Sequence, residues 1–288
     1  MTIAVTAATG QLGGLVLAEL LTTERADSLV AIVRDPDRAQ HLREQDIEVR
    51  AGHYDDKAGY VTALAGVDKL LLVSGLDFGQ RVQQHTNVIE AASQAGVSLL
   101  AYTSAPHADT SALPIAAEHK ATEKVITDSG IPYVILRNNW YTEMFAPAIN
   151  LTRRTGAVWS NAPTGRIASA SRIDYAAAAA KVLAADGHQG HVYELTGDYA
   201  WNYDELAATL ADLLGQPVTH RTVTPAEHTQ VLTDAGTPEF MAHFAAELDE
   251  NIEEGHLAHA TDTMRTLIGR PTTRLIDALR ATTNAVAS

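Results

Sequence analysis

The sequence predicts an α/β protein built on a doubly wound parallel sheet, with a smaller C-terminal α/β region. Three observations carry the prediction. Short apolar, β-branched runs alternate with helix-length segments through the first half of the chain, the pattern of strands buried on both faces by crossover helices. The first such run leads straight into a glycine-containing turn and a helix start, as in mononucleotide-binding βα units. The chain has 288 residues, 46% of them apolar, enough for a large core and more than one folding unit.

Taken in order, Ile3 to Val5 is the first strand and Leu15 to Leu21 marks the helix after it. Strands follow at Leu29 to Val33, Ile47 to Arg50, Lys69 to Ser74, Leu99 to Ser104 and Tyr133 to Leu136, with helices at Gln80 to Ala95 and Ala116 to Ser129. Gly96 and Gly130 fall where left-handed helix C-caps are expected. Beyond about residue 145 the rhythm changes. Ala157 to Trp159 and Gly165 to Ala170 read as short strands, Asp174 to Ala185 as an alanine-rich helix, and Val192 to Thr196 as a further strand. Helices are expected near Tyr203 to Leu214 and Pro225 to Ala235, then a polar, acidic segment from Pro238 to Gly255. With no low-complexity linker, residues 1–145 and 146–288 are expected to form two regions packed on each other, the chain partly interleaved.

The turn after the first strand is Thr6-Ala7-Ala8-Thr9-Gly10-Gln11-Leu12-Gly13. A glycine lets the backbone approach a pyrophosphate, whose charge is met by the free N–H groups and positive dipole of the helix start. Thr9, Gly10, Gln11, Leu12 and Gly13 are therefore cofactor-binding candidates, and Ala7 holds the first glycine position. The second strand ends in Arg34, where an NAD-specific chain carries an acid for the ribose 2′-hydroxyl. A cation there, joined by Arg38 at i+4 on a helix starting near Pro36, favours a 2′-phosphate and hence NADP(H).

Ligands of open α/β sheets bind outside the carboxyl ends of the strands. Those ends carry Ser74-Gly75-Leu76-Asp77-Phe78, Thr103-Ser104-Ala105-Pro106-His107 and Arg137-Asn138-Asn139-Trp140-Tyr141. Small residues, amides and aromatics suit a flat nicotinamide and a flat acceptor. Ser74, Gly75, Thr103, Ser104 and Asn138 are candidates for the cofactor, and Phe78, Trp140 and Tyr141 for the acceptor.

The net charge of −14 argues against nucleic acid and anionic membranes as partners. The chain has no cysteine, so it has neither a disulfide framework nor a thiolate nucleophile. Gln11 and Glu19 interrupt the apolar N-terminus, so neither a signal peptide nor a membrane span is expected and the location is read as cytoplasmic. The sequon Asn150-Leu151-Thr152 then has no meaning. No tyrosine is followed four residues later by lysine, so the Tyr-x-x-x-Lys acid that supports carbonyl reduction is absent. No G-x-S-x-G elbow supports Ser104 with His119 as a hydrolase pair. The pairs His188/His191 and His256/His259 lack a third ligand, so no metal is expected.

Several segments match a known pattern together: Thr9 to Gly13, Ala31 to Arg34, Lys69 to Leu72, Ala101 to Ser104, Glu118-His119 with Thr122-Glu123, and Leu136 to Asn138 with Trp140-Tyr141. Ile167 to Ala170, Asp174-Tyr175, Val192 to Leu195, Leu267 to Gly269 and Pro271 to Thr273 extend it over nearly the whole chain. The chain resembles the type 2 NAD(P)H:quinone oxidoreductases, atypical short-chain dehydrogenases of the NmrA-like group close to triphenylmethane reductases. The resemblance implies a Rossmann fold with a C-terminal substrate region. It also implies hydride transfer from a nicotinamide to a quinone or other conjugated acceptor; a monomer or homodimer is expected. Counting back from Gly130, it nominates His119 as the polar catalytic group nearest the reacting carbonyl, with Tyr141 as a second. The alternatives are reduction of triphenylmethane-type dyes or of activated alkenes and carbonyls, and a redox-sensing NADP(H)-binding regulator with little turnover. Ala7 and the Leu76-Asp77-Phe78 loop depart from the family pattern.

Overall fold

The computed structural model describes residues 1–287. The chain runs β1 (Ile3–Val5), α1 (Gln11–Leu20), β2 (Leu29–Val33), α2 (Gln40–Arg43), β3 (Glu48–Ala51), α3 (Lys57–Ala63), β4 (Lys69–Leu72), α4 (Arg81–Ala95), β5 (Leu99–Ser104), α5 (Ala116–Asp128) and β6 (Tyr133–Asn138). It continues with α6 (Ala146–Thr155), β7 (Ala157–Ser160), α7 (Arg172–Ala184), β8 (Val192–Leu195), α8 (Tyr203–Leu214), β9 (Thr219–Thr222), α9 (Pro225–Asp234), α10 (Glu239–Glu253), α11 (Thr263–Ile268) and α12 (Leu275–Ala287).

Seven strands form one sheet in the order β3-β2-β1-β4-β5-β6-β8, and every neighbouring pair is parallel. The order reverses between β1 and β4, so the carboxyl ends of these two strands diverge and leave the crevice in which such folds bind nucleotides. The central strands are apolar on both faces because both faces are covered. Val5, Ala31 and Leu71 pack under α1 and α7, while Ala4, Ile32, Leu70 and Tyr102 pack under α3 and α4. The run of alanines from Ala176 to Ala180 lets α7 lie close against α1. A third core, including Phe145, Ile167, Trp201, Leu206 and Ile252, sits in the C-terminal half. The sheet therefore draws its last strand, and the helix over its first, from beyond residue 145.

Lys69 opens β4 with its side chain buried. Its ammonium donates to Leu183 O at 2.9 Å and Ala185 O at 3.0 Å, where the carbonyls and dipole at the end of α7 favour a cation.

Three expectations need correction. Gly165 to Ala170 forms no ladder. Ile167 exchanges two hydrogen bonds with Trp201, Ala168 bonds Leu257, and Ala170 bonds Trp140, so each residue meets a different segment. Pro238 to Gly255 is mostly the helix α10, which buries Ala242, Ala246, Leu248 and Ile252 at helical spacing beneath an acidic outer face. β9 was not foreseen, because its polar and largely exposed sequence, Thr-His-Arg-Thr, has no apolar alternation; it pairs with β7 in a separate parallel ribbon.

Candidate active site

The turn after β1 brings the backbone of Ala7 to Gly13 together at the crevice. Gly10 N–H bonds Ala7 O at 2.8 Å, and no side chain caps the start of α1. Its first N–H groups are thus left for a ligand. Thr9, Gly10 and Gln11 are exposed, whereas Leu12 and Gly13 are buried beneath them. A Cβ on Gly13 would lie 2.5 Å from Ala7 O, so glycine is needed there for the helix to pack on its own turn. Ala7 has φ of +48°, a left-handed conformation that costs a non-glycine residue about 1 kcal/mol. The preceding Thr6 ties the turn down: its hydroxyl accepts from Val73 N–H at 2.9 Å and lies 2.7 Å from the Tyr54 hydroxyl, which donates to Val73 O.

Arg34 and Arg38 are both exposed just beyond β2, and neither pairs with an acid among the described residues. Arg38 lies on a 3-10 turn, Pro36–Ala39, rather than on the α-helix expected from Pro36; Asp35 caps that turn by accepting from Asp37 N–H at 3.1 Å.

The ends of β4, β5 and β6 form one hydrogen-bonded patch. Ser74 N–H donates to Thr103 Oγ1 at 2.9 Å, and Gly75 N–H to His85 Nε2 at 3.0 Å. Arg81 reaches back to Gly75 O at 2.8 Å and pairs with Glu118, which also accepts from Gly79 N–H. The loop is therefore fixed by α4 and α5. Ser104 points elsewhere: its hydroxyl donates to Glu123, which holds Arg137 through two bonds, at 2.9 and 2.7 Å. That spends the Ser104 side chain on scaffolding. Asn138 donates from Nδ2 to the Tyr141 hydroxyl at 3.2 Å, while its Oδ1 is buried without a partner. An orphaned buried acceptor at a strand end is costly unless a ligand donor meets it. The Arg172 guanidinium lies 4.7 Å from the centre of the Tyr141 ring. Burial pushes the Tyr141 phenol up, against the opposing effects of Asn138 and Arg172, so the hydroxyl keeps its proton at neutral pH.

His119, on α5, is 5% exposed. Its Nδ1 lies 2.7 Å from the Tyr102 hydroxyl, and Nε2 bonds no protein group among the described residues. Burial, then the nearby Arg81 and His85, lower its pKa to about 3, so the ring is neutral at physiological pH.

An aromatic wall flanks this patch. Phe78 stands 51% exposed in the loop after β4, with the Arg81 guanidinium 5.0 Å from its ring centre. Phe240 and Phe244 of α10 each approach Phe78 at 6.4 Å, and Phe244 stacks on Trp140 at 6.2 Å. The two α10 phenylalanines lie in the segment read only as polar and acidic, to which no element was assigned. Their i, i+4 spacing, Phe-Met-Ala-His-Phe, is the signal that marks them.

The glycine turn, the crevice and the strand-end patch together define a nucleotide-dependent reductase of the Rossmann class, and the chain belongs to the NAD(P)H-binding family, whose profile matches residues 7–186. Among known proteins it is similar to quinone oxidoreductase 2 of Escherichia coli K12, at 47% identity over 96% of this chain and 97% of that one. The crystal structure of the NADPH-dependent quinone oxidoreductase QOR2 from Escherichia coli, complexed with NADPH, superposes with a TM-score of 0.94 at 46% identity over 98% of this chain and 100% of that one. Triphenylmethane reductase from Citrobacter sp. superposes at 0.95 with 38% identity, over 99% and 100% of the two chains.

Proposed function

We propose that this chain is an NADPH-dependent oxidoreductase that reduces quinones. The observation that favours it most is the Asn138 Oδ1 acceptor, buried without a partner among the described residues at the end of β6; on α5, His119 engages Tyr102 through Nδ1 and leaves Nε2 without a partner among the described residues. The wall of Phe78, Phe244 and Trp140 connects to both groups: Arg81 lies over Phe78 and acts on His119, and Trp140 follows Asn138 by two residues. The residues also fit the cofactor: the uncapped start of α1 with Thr9, Gly10, Gln11, Leu12 and Gly13 suits a pyrophosphate, and unpaired Arg34 and Arg38 suit a 2′-phosphate. NADPH, when bound, supplies the hydride.

The chain's own groups then bind, orient and stabilise. Asn138 Oδ1 accepts from the carboxamide, and the backbone of Ser74, Gly75 and Ser104 with the Thr103 side chain lines the ring. The wall with Tyr141 holds the acceptor flat, and His119 donates from Nε2 to the oxygen that gains negative charge. A quinone gains aromaticity on reduction, so positioning and charge stabilisation are the main demands on the protein. Residues 1–145 carry the cofactor in this reading, and residues 146–288 close over the acceptor. We read the protein as a cytoplasmic monomer or homodimer. No helix among the described residues is long and apolar enough to cross a membrane. Dye reduction uses the same surfaces and the same hydride, and the structural likeness to triphenylmethane reductase favours it as a second activity. Steady-state oxidation of NADPH and NADH against a panel of benzoquinones, naphthoquinones and a triphenylmethane dye tests the reading. Rapid NADPH oxidation by quinones is expected, and none with any quinone would refute it.

A further inference from the structure

Tyr102 lies in β5 with its side chain buried under α4 and α5; its hydroxyl makes its short contact, 2.7 Å, with His119 Nδ1, and the Thr122 hydroxyl is a second, looser neighbour. A buried hydroxyl gives its proton to the acceptor it meets at short range, and because Thr122 is already engaged by His85 and by Glu118 O, that acceptor is His119 Nδ1. A neutral imidazole that accepts at Nδ1 carries its proton on Nε2. His85, whose ring packs 5.3 Å from that of Tyr102, obeys the same logic with the opposite result. Gly75 N–H donates to its Nε2 at 3.0 Å, so its proton sits on Nδ1, 3.1 Å from Thr122 Oγ1; that hydroxyl donates onward to Glu118 O at 2.9 Å. The two imidazoles are thus held in opposite tautomers, each by a fixed donor.

We propose that Tyr102 is a positioning residue for the reduction: its hydroxyl locks His119 in the Nε2–H tautomer and fixes the ring plane, so that a neutral imidazole presents a ready donor to the acceptor oxygen. The inference rests on the role assigned to His119 above. His119 keeps its proton throughout. The hydride brings two electrons and one proton's worth of hydrogen to the quinone, leaving a hydroquinone anion, and the second proton comes from water. Burial beside Arg81 and His85 opposes protonation of either imidazole, so the group does not switch to proton donation across the physiological range. The catalytic contact belongs to His119, and Tyr102 acts only through it.

Nitrogen-15 NMR of the histidine-labelled full chain, loaded with NADP⁺, reads the tautomer directly, the His119 signals being those lost in His119→Phe. The wild type is expected to show an unprotonated Nδ1 and a protonated Nε2, and Tyr102→Phe a mixture of tautomers. In stopped flow with menadione, Tyr102→Phe should slow hydride transfer about tenfold, the worth of one orienting hydrogen bond, with NADPH affinity unchanged. A protonated Nδ1 in the wild type overturns the inference without any variant. So does an unchanged rate in Tyr102→Phe when His119→Phe is slow, which leaves His119 in place and removes only the relay. If neither variant is slowed, His119 itself is misassigned and the inference falls with it.

Discussion

Replacing Arg34 with aspartate should convert the chain from preferring NADPH to accepting NADH. Arg34 is exposed at the end of β2 with no acidic partner among the described residues, so its contact with a 2′-phosphate forms in solvent and belongs at the low end of charge-assisted bonds, about 1.5 kcal/mol. Aspartate removes that contact and adds repulsion. Two charges about 4 Å apart in a water-like medium interact by about 1 kcal/mol, and a phosphate monoester carries between one and two charges. The sum is about 3 kcal/mol, or roughly a hundredfold weaker NADPH binding. NADH lacks the phosphate and should bind as before. Fluorescence titration of both cofactors against wild type and Arg34→Asp measures the ratio, and repeating it at high salt should shrink the wild-type preference, because exposed charges are screened over about 10 Å at 0.1 M. Equal weakening of both cofactors, or a preference indifferent to salt, would refute phosphate recognition by Arg34.

Lys69→Met should lower stability by about 2 kcal/mol, since two charge-assisted bonds to the end of α7 are lost while an ammonium no longer has to be desolvated; thermal melts should fall by roughly 4–8 °C, and an unchanged melt would remove that tether from the account. Phe244→Ala should lower kcat/KM for a naphthoquinone about three- to tenfold through loss of aromatic contact, leaving the NADPH dissociation constant unchanged; a cofactor effect instead would move Phe244 out of the acceptor wall. The chain should also lose stability in mild acid. His85 and His119 are each lowered to about 3 in the fold by burial first, against about 6.5 unfolded. Below pH 6.5 the unfolded chain therefore binds more protons, and stability falls as pH falls toward 3. Each group contributes about 2 kcal/mol between pH 7 and 5, so urea melts of His119→Phe should lose about that much less over this interval than the wild type. Identical pH dependences would show that His119 is not held neutral by the fold.

The parts of the fold that could be read in advance are those in which one residue's neighbours along the chain share its fate. β1, β2 and β5 are continuous apolar runs covered on both faces, and their limits follow from that pattern; α8 has a capping box at its start and Gly215 after its end. Gly165 to Ala170 misled because its alternation of Ile167, Ala168 and Ala170 with polar Arg166 and Ser169 is equally compatible with a threaded segment in which each residue meets a different partner. Glu239, Glu247, Glu250 and Glu253 lie on the outer face of α10 and masked the buried row that makes it a helix, a row that includes the acidic Asp249. The site divides in the same way. Gly13, Arg34, Thr103 and Asn138 stand at strand or helix ends, where their chemistry is visible locally. Tyr102, His85, Arg81 and Tyr54 act through partners 10 to 48 positions away, and no local pattern marks such pairings. Tyr102 in particular lies inside an apolar strand and reads as core until its hydroxyl is placed against His119.

In the proposed reaction the hydride of NADPH reaches a quinone at a site where His119 supports the charge that develops on the acceptor oxygen. Anaerobic stopped-flow measurement of a single turnover with menadione, in the wild type and in His119→Phe, tests it most directly. The wild type is expected to show fast, quinone-dependent NADPH oxidation. The variant's hydride step should be slower by about 10²–10³-fold, the usual loss for one oxyanion donor, with NADPH affinity retained. A wild type that leaves NADPH unoxidised, or a His119→Phe chain that transfers hydride at the wild-type rate, would contradict it.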